Sequence, residues 1–138
     1  MPGKTASKQL RYRYPKPIPF LLAIVGMWLI TDISFVHNGE FDVRPGTSPA
    51  VAFYQTTILQ NTYNLAVIIF GSLNGLRIVT VAAHMAHVAE STYAAYICMR
   101  YNAGFFLTLQ YTFMTFLGGY TQLGPLKAAV QKAFGNTA

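Results

Sequence analysis

The sequence predicts an all-α integral membrane protein with three to four transmembrane helices, four being favoured, a basic N-terminal arm and a short C-terminal interfacial helix. Three observations predict it. Hydrophobic side chains make up 53% of the 138 residues and charged ones only 10%, against roughly a quarter charged in ordinary soluble domains. The charges are confined to a few stretches. Between them lie apolar runs long enough to cross a hydrocarbon core of about 30 Å at 1.5 Å per helical residue.

Residues 1–18 form the arm, where Lys4, Lys8, Arg11, Arg13 and Lys16 stand without an acid before Asp32. They supply much of the net charge of +6. Because the arm leads straight into an apolar run, anionic lipid headgroups or an acidic partner subunit are its expected contacts, and nucleic acid is not. A plain orientation signal is the simpler reading of the same charges.

Residues 19–36 (PFLLAIVGMWLITDISFV) are the first crossing. Pro15, Pro17 and Pro19 keep its approach extended, Tyr12 and Tyr14 suit the interface, and Asp32 near the far end is expected to reach headgroups or a partner. Residues 37–49 are a polar loop, marked by Asn38-Gly39, Pro45-Gly46 and Ser48-Pro49. Residues 50–73 read either as a weak crossing or as an interfacial helix, since Gln55, Gln60, Asn61 and Asn64 interrupt the apolar pattern. Gly71 and Gly75 beside Asn74 favour a turn over a helix-packing pair.

Residues 76–99 and 103–123 are two further crossings joined by Arg100, Tyr101 and Asn102, hence antiparallel neighbours. Gly124-Pro125 is expected to stop the second of them. Residues 125–134 then read as a helix on the membrane surface, with Lys127 and Lys132 set apart from its apolar stripe and available to anionic lipid or a partner. Four crossings place the arm, Arg77 and the C-terminal lysines on one side, which the charge bias of membrane proteins favours. Neither an internal repeat nor a cleavable signal is visible.

The third apolar segment carries the most informative pattern. At 100° per residue Arg77, Thr80, His84, His87 and Ser91 fall within an arc of about 80°, and Cys98 continues it. Glu90 stands three residues after His87, so the two side chains are expected to meet. This intramembrane stripe reads as a polar seam for helix packing or a partner subunit, as a lipid or sterol headgroup site, or as a proton relay; the seam is favoured.

Catalysis and metal binding find little support. Four acidic residues, two of them in the polar loop, are too few for a di-iron bundle, and one cysteine excludes a thiolate cluster. His37, at a membrane edge, makes a poor second haem ligand. The chain also lacks a GxSxG nucleophile and a phosphate-binding glycine loop. No catalytic, metal or cofactor site is therefore expected, although a structural phospholipid such as cardiolipin is compatible with the basic clusters.

HVAESTYAAYIC, from His87 through Glu90 and Ser91 to Cys98, resembles the central helix of the transmembrane protein 254 family. More distantly, the order of helices is similar to that of the ergosterol biosynthetic protein 28 family, a non-enzymatic membrane scaffold for sterol enzymes. The resemblance implies a scaffold, with His87, Glu90 and Ser91 as its polar core. The basic arm and the loop after Asn38 depart from both families.

An acid-poor N-terminus with Lys, Arg and Ser also resembles mitochondrial import sequences, here expected to be retained with Met1 in place. The functional expectation is accordingly a non-catalytic accessory subunit of a large mitochondrial inner-membrane complex, of the respiratory chain or ATP synthase. Its partners would be other subunits and membrane lipids, with no nucleic acid. The alternative is an endoplasmic-reticulum scaffold or lipid-binding protein of sterol or lipid synthesis.

Overall fold

Helix α1, Pro17–Val36, is the feature that most directly expresses the composition. It appears in a computed structural model that describes residues 9–135. Lys4 and Lys8, expected as lipid or partner contacts, lie outside the described residues. Pro17 suits a first helical position because its φ is preset and its missing N–H would have no helical acceptor there. The α-helical part, Pro17–Thr31, has no buried residue, so it is apolar outward on all sides. With a mean hydropathy of 1.9, Pro17–Val36 is the one helix among the described residues that is long and apolar enough to cross a membrane by itself.

The last turn of α1, Asp32–Val36, is a π-helix. Beyond it the chain turns at Asn38 and Gly39, both with positive φ. Gly39 suits the turn, since its φ of 78° is one that side chains rarely adopt and a Cβ would crowd the Tyr63 ring at 3.2 Å. Helix α2, Pro49–Phe70, starts with Ser48 as its cap, its hydroxyl accepting from the Val51 amide, and with Pro49 in the first turn. It contains a second π segment, Tyr54–Leu59, and ends at Gly71 in the left-handed conformation. Helix α3, Leu73–Arg100, follows after a bend of 91°. The Gly71/Gly75 pair thus marks a break between helices. Only when the two bent helices α2 and α3 are taken together are they apolar enough for one span.

Helix α4, Phe105–Gly118, and helix α5, Tyr120–Phe134, complete the described chain, in which no strand occurs. Here two expectations are corrected. Residues 103–123 do not form one helix ending at Gly124-Pro125: the chain breaks at Gly119, whose φ of 57° and ψ of −135° end α4, and Pro125 lies inside α5. Pro125, the sixth residue of that helix, has no N–H to give the Thr121 carbonyl and its ring crowds that carbonyl, so the helix holds it at a cost. The 14 residues of α4 rise only about 21 Å.

The second correction concerns 125–134. Its apolar stripe, Leu126, Ala129 and Val130, is buried in a core with Ala94, Ile97, Cys98 and Tyr111 rather than laid out on a surface. Tyr101 packs on Phe134 at one end, 4.8 Å between ring centroids, and Gly119 sits at the other, so α4 and α5 form an antiparallel hairpin. An apolar stripe is satisfied equally by lipid or protein, which is why spacing alone misassigned it.

The chain forms two units, Val25–Met85 and the terminal unit of Met1–Ile24 with Ala86–Ala138. The first packs around Ile33, Phe41, Leu59, Ala66 and Leu76. The terminal unit packs around Tyr111, Leu123, Leu126 and Val130, with Leu10 of the arm added to them. Both leave large apolar side chains exposed, among them Ile68 at 80% and Phe106 at 84%.

Candidate functional site

Within Val25–Met85 the two π segments position a hydrogen-bonded chain of side chains. Asp32 and His37 are five residues apart, which in a regular α-helix separates them by about 140°. The π turn, closed by the His37 amide on the Asp32 carbonyl at 2.9 Å, brings their side chains together at 3.2 Å. Tyr54 donates to the other Asp32 oxygen at 2.7 Å, and Trp28 Nε1 donates to the Tyr54 oxygen at 3.0 Å. A carboxylate only accepts, so His37 carries its proton on Nδ1 and its Nε2 accepts from the Gln55 amide at 3.1 Å.

Asp32 is therefore buried and partnered inside the chain, which corrects the expectation that it reaches headgroups or another subunit. Single π turns of this kind concentrate at functional sites. His37 and Gln55 also line a polar cavity of about 570 Å³ with Glu40, Asp42 and Arg44. The dyad can hold a proton and orient an imidazole. Gln55 Oε1 is buried without a partner.

The first half of the α3 stripe belongs to the same unit. Arg77 donates from Nε to the Ser34 carbonyl at 3.1 Å, from Nη2 to Asn38 at 2.9 Å and from Nη1 to Asn74 at 3.3 Å. Three neutral acceptors thus surround its charge. Thr80 is buried and donates to the Leu76 carbonyl, which leaves Ser34 to donate to the Thr80 hydroxyl at 3.2 Å. His84 Nδ1 donates to the Thr80 carbonyl at 2.8 Å, and its Nε2 faces Thr31 at 3.5 Å.

In the terminal unit the second half of the stripe meets α4. His87 Nδ1 donates to the Phe116 carbonyl at 2.8 Å, one of the last four carbonyls of α4 that have no helical donor. Ser91 donates to the Thr112 carbonyl at 3.1 Å. His87 and Glu90 do not form the expected pair: among the described residues the one contact between a histidine and a carboxylate is the Asp32–His37 hydrogen bond. Both instead face Gly119, where an added Cβ would lie 2.8 Å from Glu90 Oε2 and 2.9 Å from His87 Nε2.

The arm is held by its backbone. The Arg13 amide donates to the Tyr111 hydroxyl at 2.8 Å, that hydroxyl donates to the Arg11 carbonyl at 3.1 Å, and Gln122 donates to the Arg13 carbonyl at 3.1 Å. Burial raises the Tyr12 phenol above its ordinary pKa, with Tyr14 adding to the effect. The side chains of Arg11, Arg13 and Lys16 remain exposed. Lys127 stands over the Tyr93 ring, 5.3 Å from its centroid, while Lys132 is exposed.

With this geometry in view, a family model described as Transmembrane protein 254 matches residues 18–128. The chain belongs to the transmembrane protein 254 family. That membership agrees with the resemblance read at His87 to Cys98, and it makes the chain a membrane protein by family as well as by composition. No curated protein and no solved structure matches it. The family match spans α1 to the middle of α5, so it includes both the Asp32–His37 chain and the α3 stripe.

Sequence reading missed Tyr54 and His37 as partners of Asp32, and Trp28 and Gln55 behind them, because a π turn leaves no mark in α-helical periodicity. It also missed Gln122, which is buried, because the break at Gly118-Gly119 carries that residue into α5 rather than into a crossing that ends at Gly124-Pro125. Among the described residues no group of three His, Cys, Asp or Glu side chains is placed to hold a metal ion.

Proposed function

We propose that this chain is a non-catalytic accessory subunit of a large mitochondrial inner-membrane complex, where it supports assembly and holds phospholipid. The observation that carries the reading is the division of its surfaces. The polar groups of the α3 stripe bond within the chain, at Ser34, Asn38, Phe116 and Thr112, while large apolar side chains on both units stay exposed. Such a molecule presents apolar faces to neighbours and lipid. The acid-poor basic arm supports the mitochondrial assignment.

In this reading α1 crosses the bilayer by itself, α3 crosses with its polar stripe bonded within the chain and so kept from lipid, and the α4–α5 hairpin returns to the side from which it starts. The hairpin replaces the fourth crossing favoured by the sequence. It brings Lys127 and Lys132 to the side of Arg100, which satisfies the charge bias without a further span. The 91° bend before α3 supports the interfacial alternative for α2, because transmembrane helices tilt by at most about 40°.

Two experiments test this. Mild-detergent purification of the tagged chain, with native gels and mass spectrometry, should recover stoichiometric respiratory-chain or ATP synthase subunits; lipid-synthesis enzymes instead would move the function to an endoplasmic-reticulum scaffold. For the topology, single cysteines replacing Arg100 and Lys132 in a Cys98→Ser background should label from the same side. Labelling from opposite sides would restore the fourth crossing.

A further inference from the structure

Beside the fixed part of the arm lies a groove of about 560 Å³. Arg13 and Lys16 stand on it, Tyr14 and Tyr120 flank it, and Pro125 and Ala128 contribute apolar wall. No carboxylate is among the described residues that line it. The two cations are exposed, but the backbone carrying Arg13 is not free. Its amide and carbonyl are both bonded, to Tyr111 at 2.8 Å and Gln122 at 3.1 Å. Both partners are buried. The guanidinium is thus displayed from a fixed anchor, and binding there costs less ordering than binding to a loose basic tail.

We propose that this groove is a binding site for one anionic phospholipid, its phosphate held by Arg13 and Lys16 and an acyl chain lying against Tyr14, Tyr120, Pro125 and Ala128. This deepens the phospholipid part of the function proposed above and rests on the membrane reading. Three features select that occupant. An arginine and a lysine with no neighbouring acid match a phosphate. The wall below them is apolar, which a free phosphate would leave unused and an acyl chain would cover. Two tyrosines frame the groove at the junction between the polar arm and apolar α1, where interfacial aromatics meet headgroups. Pro125 matters here in a second way, since its ring adds apolar surface inside a helix where an ordinary residue would place an N–H.

The test reconstitutes the full chain in phosphatidylcholine nanodiscs and measures, by electron spin resonance, the immobilised fraction of spin-labelled phosphatidylglycerol against spin-labelled phosphatidylcholine. Phosphatidylglycerol should be preferred at one site per chain by roughly thirtyfold, the scale expected of two cations at a membrane surface. Arg13→Gln with Lys16→Gln should bring the ratio close to one, and Ala128→Asp, which sets a carboxylate in the groove, should do the same. Arg44→Gln with Arg100→Gln removes equal charge elsewhere and should leave the preference in place.

Circular dichroism matching the wild type keeps these comparisons valid, and Ala128→Asp provides an independent route if the double variant misfolds. A preference that survives the Arg13/Lys16 change, or that the Arg44/Arg100 change abolishes equally, would overturn the site. Loss of the preference in excess inorganic phosphate would reassign the groove to free phosphate. A chain that enters the bilayer yet shows no preference refutes the groove alone, whereas one that does not enter a bilayer refutes the membrane reading as well.

Discussion

The two units bury polar groups in different ways. In Val25–Met85 a connected set of side chains bonds to one another, Trp28 to Tyr54, Tyr54 to Asp32, His37 to Asp32, Gln55 to His37 and Ser34 to Thr80, alongside the carbonyl bonds of Arg77 and His84. In the terminal unit side chains bond to backbone carbonyls, His87 to Phe116, Ser91 to Thr112 and Gln122 to Arg13. The difference follows from how each unit departs from regular helix. Two π turns reorient side chains while nearly all backbone bonds stay made, whereas a helix break and an extended arm leave carbonyls open. A network of side chains fails wherever one member is removed; a set of backbone acceptors fails when the backbone moves.

The largest expected effect follows from that contrast. Gly119→Ala places a Cβ on a backbone at φ 57° and ψ −135° and within 3 Å of Glu90 and His87. The strain and crowding should destabilise the terminal unit by about 2–4 kcal/mol. Unfolding in a neutral detergent, with hydrogen exchange at α4 and α5 amides, measures it. Unchanged protection there would mean that the break is not what holds the hairpin.

Asp32→Ala comes next. It leaves the Tyr54 hydroxyl and His37 Nδ1 without their acceptor and should cost about 2–3 kcal/mol. Asp32 and His37 should couple by roughly 1–2 kcal/mol in a double-mutant cycle with Asp32→Ala and His37→Ala. A coupling near zero would deny that the first unit works as a network. Arg77→Lys is smaller, about 1 kcal/mol, because an ammonium cannot reach the three diverging acceptors that the guanidinium spans. Thermal unfolding of this variant equal to wild type would place Arg77 outside the network.

Much of the helix order was legible because apolar runs and turn pairs mark it. Asn38-Gly39 and Gly71 take positive φ just after the ends of helices, where turns were read. The same reading failed at Gly118-Gly119, since a glycine pair inside an apolar run looks like lipid-facing sequence until something packs on it. The arc of Arg77, Thr80, His84, His87 and Ser91 was visible from angular spacing, and its residues do make bonds between elements. What spacing cannot supply is which carbonyl or hydroxyl lies opposite. Asp32 shows the limit most clearly: its partner His37 is on the wrong side of an α-helix, and only the change to i→i+5 bonding brings the two together.

The smallest expected effect is also the one that separates periodicity from geometry most cleanly. Spacing of three residues predicts that His87 and Glu90 are paired, in which case the double variant His87→Ala with Glu90→Ala would lose no more than the poorer single. In the structure His87 gives its Nδ1 proton to Phe116 and turns Nε2 toward Gly119, so its stability rests on a backbone acceptor. The two losses should therefore add to within about 0.5 kcal/mol. His87→Ala should cost about 1 kcal/mol for the open Phe116 carbonyl, and Glu90→Gln a few tenths at most. A strong negative coupling would show that the pair forms after all, and would move the terminal unit toward the side-chain network that characterises Val25–Met85.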